Sequence, residues 1–383
     1  MRLATVLLFG AMMTFPAFGA SPTPSPPDGA NARAIEALIA RELVRPLIGE
    51  DGIGGIAVAV RIGSRTRFFN YGYADMQSRR PVTPDALFNI ASLRKIFEAT
   101  LLVDAAQRGE LRLDDPVAKY MTELADGGGA IRDVTLGQLA SHTSGLLLPP
   151  DHPPWPTQPY TLDEFLGVLK AWTPEPGHAP GKTHTYTHAG YVLLQLALER
   201  RFGELIGRLI AARVAKPLGL AATVLPAQPL DRPQTPIPGA VQGYGADGAP
   251  IGVPGNQQSY YDFPGTGQMY SSARDLARLV AAELGEVAAP PELREAMAQT
   301  RRPVFRVSAQ VSQALAWEVS DIGGGLTIVD KPGGIDNASA YVGLVPERKI
   351  GLVVLVNRGD RNPHALARGV ILPGLVRLSM LSH

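Results

Sequence analysis

Apolar runs of strand length lie at opposite ends of this 383-residue chain, Ile56–Ile62 near its start and Ile350–Asn357 near its end. A strand cannot stand alone, because its backbone N–H and C=O groups need partners on a neighbour. The early run has one at hand: Arg67–Tyr73 follows it across the turn Gly63-Ser64, which reads as an antiparallel hairpin. Strand-like segments at Ala314–Val319, Leu326–Val329 and Ala340–Leu344 precede the late run. Between the two sets, from about Ala91 to Leu198, the pattern is helical. The expected class is α/β in the α+β sense: one antiparallel sheet built from both chain ends, flanked by helices, with a mainly helical insertion over about residues 90–250. Two flanking helices are legible. One spans residues 31–48, with Ile35, Leu38, Ile39, Leu43 and Leu47 at helical spacing, and the other runs from about Pro363 to Leu381. A site at the seam between sheet and insertion is the natural expectation.

The insertion is broken by Pro150, Pro153, Pro154, Pro156 and Pro159, which exclude a helix there and mark a loop or flap. A second Pro/Gly-rich stretch, Pro226–Gly267, is too long for a plain connection and suggests a functional loop. At the N-terminus, Arg2, the apolar run Leu3–Phe15 and then Ala17-Phe18-Gly19 have the order of a secretory signal peptide, residues 1–19. A Pro/Ser-rich leader over residues 20–30 and one domain over 31–383 follow. The expected location is thus periplasmic or secreted, with no membrane span in the mature chain. The chain has no cysteine, which excludes disulfides and cysteine-ligated zinc. With 36 basic against 35 acidic residues and no basic run, nucleic acid is excluded as a partner. A monomer is expected.

Three short segments carry chemistry. Ser92-Leu93-Arg94-Lys95 opens an apolar helical stretch, placing a hydroxyl and an amine on one face at a helix N-terminus, where an oxyanion is favoured. A lysine desolvated there can take the serine proton. Tyr186-Thr187-His188 precedes the helical run Val192-Leu193-Leu194, and Asp330-Lys331-Pro332-Gly333-Gly334 lies on a strand read as continuing into Ala340–Leu344.

In this order and spacing, Ser92-x-x-Lys95, Tyr186-x-His188 and Lys331-Pro332-Gly333 resemble the three motifs of serine β-lactamases. The likeness is nearest to the class C enzymes and their penicillin-binding and esterase relatives. The flanking segments Gly109–Val117, Leu139–Leu146 and Val345–Leu352 match as well. The resemblance implies a cofactor-free hydrolase acting on a β-lactam or peptidoglycan-like small molecule. It implies Ser92 as nucleophile, with Lys95 and Tyr186 sharing the general-base work. The backbone N–H groups of Ser92 and Gly334 would form the oxyanion hole beside Gly333, and Lys331 would hold a substrate carboxylate. A D-alanyl-D-alanine peptidase, a carboxylesterase and a receptor that acylates without turnover are the alternatives on the same fold.

The chain departs from class C at three places. His188 stands where those enzymes carry Asn, and an unperturbed histidine there would impose an acid limb near pH 5–6. Pro332 replaces Thr or Ser, removing a hydroxyl and a backbone donor; because proline suits edge strands, the motif strand is expected at an edge. The glutamine expected after Thr143-Ser144-Gly145 is missing, with Pro149 and Pro150 nearby. His184 and His188, four residues apart, leave zinc as an alternative to a plain hydrogen-bonding role, although they precede the expected helix. Trp172 and Trp317 read as packing residues, Trp155 as packing or groove-lining, and His142 as a turn stabiliser.

Overall fold

A computed structural model describes residues 28–127, 130–148, 162–226, 236–255 and 268–381. The signal peptide, the leader up to residue 27, and the flap with His152 and Trp155 lie outside the described residues.

The two terminal apolar runs pair directly. β1 (Gly55–Ile62) lies antiparallel to β11 (Ile350–Val356), with Ile56 opposite Val356 and Ile62 opposite Ile350. β2 (Arg65–Asp75) and β3 (Arg80–Pro81) extend the sheet on one side, while β4 (Phe88–Asn89) and β5 (Tyr270–Ser271) make a separate two-stranded pair. On the other side follow β10 (Ala338–Val345), β9 (Leu326–Ile335), β8 (Glu318–Gly323), β7 (Val311–Gln313) and β6 (Phe305–Arg306). The order is β3-β2-β1-β11-β10-β9-β8-β7-β6, and every adjacent pair is antiparallel.

Both faces of the central strands are covered, which is why β11 reads as an unbroken apolar run. Leu352, Val354 and Val356 face Ile35, Ile39 and Leu43 of the first helix (Asp28–Ile39 and the wide turn Ala40–Val44) and Ile371, Leu372 and Leu375 at the chain's end. Val353 and Leu355 face the opposite core with Leu276, Leu279 and Val280 of the Ala273–Glu283 helix. Gly351 permits that helix to come close: a Cβ there would sit 2.1 Å from Val280 Cγ1. The helical insertion packs beneath this second face through Phe97, Leu101 and Leu193. Trp317 is fully buried and Trp172 nearly so, as packing residues should be.

Two boundaries differ from the sequence reading. Residues 314–317 form a tight turn rather than a strand, closed by the Ala314 N–H to the Trp317 carbonyl at 2.8 Å with Ala316 at φ +64°, so β8 starts only at Glu318. The Lys331 motif and Ala340–Leu344 are not one strand: β9 ends at Ile335 and β10 returns antiparallel from Ala338.

Candidate active site

Ser92 sits where β4 gives way to a helix. The Ala91 N–H donates to Asn89 Oδ1 at 3.0 Å and the Ile90 N–H to the Met269 carbonyl at 2.9 Å, tying the approach to β5. Ala91 takes φ +47°, an uncommon conformation for a residue with a side chain, and the turn Ala91–Leu93 then leads into the helix Arg94–Gln107. This helix is buried almost throughout, so its charges are paired. Arg94 donates to Glu98 Oε1 at 2.6 Å and to Gln195, and Gln195 donates to Glu199 at 2.9 Å. Burial outweighs Arg94 and raises the Glu98 carboxyl above its ordinary range. The network joins the serine helix to the helix His188–Phe202, whose N-cap is Thr187.

The second motif thereby meets the first. The Tyr186 hydroxyl donates to Ser92 Oγ at 2.8 Å, and Lys95 Nζ donates to the same oxygen at 3.4 Å. Lys95 is fully buried, with Nζ 5.5 Å from the Tyr186 ring centroid and 5.1 Å from that of Tyr191. Tyr186 is 39% exposed. Lys331 comes in from β9 with Nζ 4.7 Å from the Tyr186 ring. Burial lowers its ammonium below the ordinary lysine value and Lys95 adds to this, against the opposing pull of Tyr186, Glu318 and Asp330.

Gly333 lies hard against the serine turn: a Cβ there would stand 3.0 Å from the Ile90 carbonyl oxygen and 3.1 Å from the Ser92 nitrogen. Among the described residues, a Cβ on Gly334 would meet only Asn362 Nδ2, 4.0 Å away. β9 is not an edge strand, as Pro332 suggested, but an interior one. The proline is accommodated because β8 pairs with β9 no further than Asp330, opposite Glu318. Among the described residues, 331–335 have β10 as their only strand partner, with Pro332 opposite Tyr341, and so form a local edge inside the sheet.

His188 opens its helix rather than preceding it, its ring 5.4 Å from that of Tyr186 and edge-on. Burial first, then the charges of Lys95 and Lys331, lower its pKa to about 3. The expected protonation near pH 5–6 therefore does not occur in the folded site. His184 is also lowered by burial. Among the described residues no third ligand joins His184 and His188; the group of metal-ligating atoms that does converge is Glu318, Asp330 and His364. Arg368 already occupies that cluster, donating to Asp330 Oδ2 at 2.7 Å and to Glu318 Oε2 at 2.7 Å. Residues 40–372 match the family model described as Beta-lactamase.

The chain belongs to the β-lactamase family. A "Beta-lactamase" of Yersinia enterocolitica is 27% identical, covering 93% of this chain and 94% of its own. A class C β-lactamase from Rhodobacter sphaeroides has the same architecture, with a TM-score of 0.72 at 28% identity over 91% of this chain and 99% of its own. A β-lactamase/D-alanine carboxypeptidase from Pseudomonas syringae shares the fold, with a TM-score of 0.74 at 24% identity over 90% of this chain and 99% of its own. No helix among the described residues of this β-lactamase-family chain is long and apolar enough to cross a membrane. Sequence reasoning missed two of its site features. The left-handed Ala91 carries no residue-type signal, and the pairing of Arg94 with Glu98 was readable only as an i,i+4 spacing.

Proposed function

We propose that this chain hydrolyses the β-lactam amide through an acyl-enzyme on Ser92. The observation carrying this reading is the convergence on Ser92 Oγ of the Tyr186 hydroxyl at 2.8 Å and the Lys95 amine at 3.4 Å. For Oγ to attack, its proton must leave, and these two groups, in their unprotonated forms, are in range to take it. The Oγ–C bond forms as the amide C–N bond breaks, and the proton passes to the departing nitrogen. Water then attacks the ester, giving up its proton to the same base, and Ser92 is regenerated. The N–H groups of Ser92 and Gly334 would stabilise the oxyanion, and Lys331 would bind the substrate carboxylate. His188, neutral at working pH, would present an uncharged ring to the site.

The Pro332 substitution supports an altered spectrum with weaker carboxylate recognition. Export as a monomer, by a signal peptide cleaved after Gly19, completes the reading. Intact-mass measurement after mixing with a penicillin tests it, with Ser92→Ala as control. A transient adduct accompanied by product supports hydrolysis. A permanent adduct would instead identify a receptor, and the absence of both adduct and product would point to another ester or peptide as substrate.

A further inference from the structure

His142 holds the segment carrying Tyr186 at three successive residues. Its main-chain carbonyl accepts the Thr185 N–H at 2.8 Å, its Nδ1 accepts the Thr187 N–H at 3.3 Å, and its ring lies 4.2 Å from that of Tyr186, tilted by 33°. Because a backbone amide donates to Nδ1, that nitrogen carries no proton and the neutral ring is protonated on Nε2. The residue is fully buried, and Nε2 has no hydrogen-bond partner among the described residues. Its backbone is left-handed, at φ +56°. A turn needing only that backbone would be served better by Gly or Asn, which tolerate it without an orphaned ring N–H. Two unfavourable features at one position, both borne by a ring lying against the phenol that reaches Ser92, indicate a role beyond closing the turn.

We propose that His142 is the positioning residue for Tyr186, an Nε2-protonated imidazole platform that keeps the phenol oxygen on Ser92 Oγ. Lys95 and Lys331 both place side-chain nitrogens near the same tyrosine ring, and a neutral platform adds no further charge there. The inference rests on the reading that Tyr186 takes part in acyl transfer.

The test is a double-mutant cycle. His142→Asn keeps an acceptor and suits the left-handed backbone but removes the ring; His142→Phe keeps a ring and removes the acceptor. Acylation and turnover of a chromogenic cephalosporin are measured for each, alone and combined with Tyr186→Phe, with Ser92→Ala as blank. Each single variant is expected to lose about ten- to a hundredfold in kcat, the scale of a reacting group displaced by a fraction of an ångström to 1 Å. KM should stay within about twofold, and the loss should shrink below about twofold in the Tyr186→Phe background. An equal loss in both backgrounds, or none in either, overturns the proposal. If Tyr186→Phe itself acylates like the unaltered enzyme, the underlying catalytic reading fails instead. Should neither His142 variant fold, histidine nitrogen NMR of the unaltered protein decides: a proton on Nδ1 of His142 at pH 7 overturns the assignment.

Discussion

Replacing Gly333 with alanine probes the contact between β9 and the serine turn. The added Cβ would lie 3.0 Å from the Ile90 oxygen and 3.1 Å from the Ser92 nitrogen, where ordinary contact begins at 3.4 Å. Both obstacles are backbone atoms, so strand and turn must separate by about three to four tenths of an ångström. That gap opens between the two N–H groups proposed to share the oxyanion. If a 1 Å misplacement costs about a hundredfold, a shift of this size costs about fivefold. If the separation breaks one donor contact outright, the cost rises to about a hundredfold or more. The expected result is thus a fall of about five- to a hundredfold in kcat, with acylation and deacylation slowed together because each passes through a tetrahedral oxyanion. Overpacking should also cost about 1–3 kcal/mol of stability, so rates are taken well below the unfolding midpoint. Stopped-flow acylation by a chromogenic cephalosporin, with a parallel melting curve, gives both quantities. An acylation rate within about twofold of the parent would refute the reasoning, because Gly333 would then not set the spacing of the donors.

Three further outcomes are expected. His188 has a folded pKa of about 3 against about 6.5 when unfolded, so below the latter value the unfolded state binds the extra proton and stability falls as pH falls. The loss is about 2 kcal/mol between pH 6.5 and 5; His188→Asn should flatten that acid slope in urea titrations at pH 7 and 5, and an unchanged slope contradicts the burial argument. Pro332→Thr restores a hydroxyl and a backbone donor beside Lys331 and should lower KM for penicillins by about tenfold, the worth of a good charge-assisted hydrogen bond; an unchanged KM ends the carboxylate account. Asp330 is fully buried and accepts from Tyr341 Oη at 2.6 Å and Arg368 Nε at 2.7 Å. Asp330→Asn should cost about 3 kcal/mol, the lower end for a broken buried pair because Arg368 keeps Glu318, and an unmoved denaturation midpoint would show the pair to be dispensable.

What could be read from the sequence follows from what each pattern encodes. Apolar runs reveal burial on both faces, so the meeting of Ile56–Ile62 with Ile350–Val356 was legible from their mutual need for partners. Ser92 and Lys95 were legible because a three-residue spacing fixes one helical face without any tertiary knowledge. Strand order was not: an interior β9 with a locally free side depends on β8 ending its pairing at Asp330, a matter of relative strand length that Pro332 alone does not encode. The protonation of His188 was not legible for a similar reason, since the burial that chiefly lowers its pKa, and then the charges of Lys95 and Lys331, come from segments distant in the chain. The grip of His142 on Tyr186 likewise joins two segments more than forty residues apart and has no local signature.

The one-sided stretch at 331–335 has a consequence for the molecule's conduct in a crowded solution. Backbone groups two residues apart along a strand point the same way, so if Gly334 offers its N–H to the slot beside β9, position 332 would offer one too, and proline has none to give. An unpaired row of N–H groups invites any passing extended chain to stick. The missing hydrogen proposed to weaken the hold on substrate would thus also make the opening less adhesive towards other proteins.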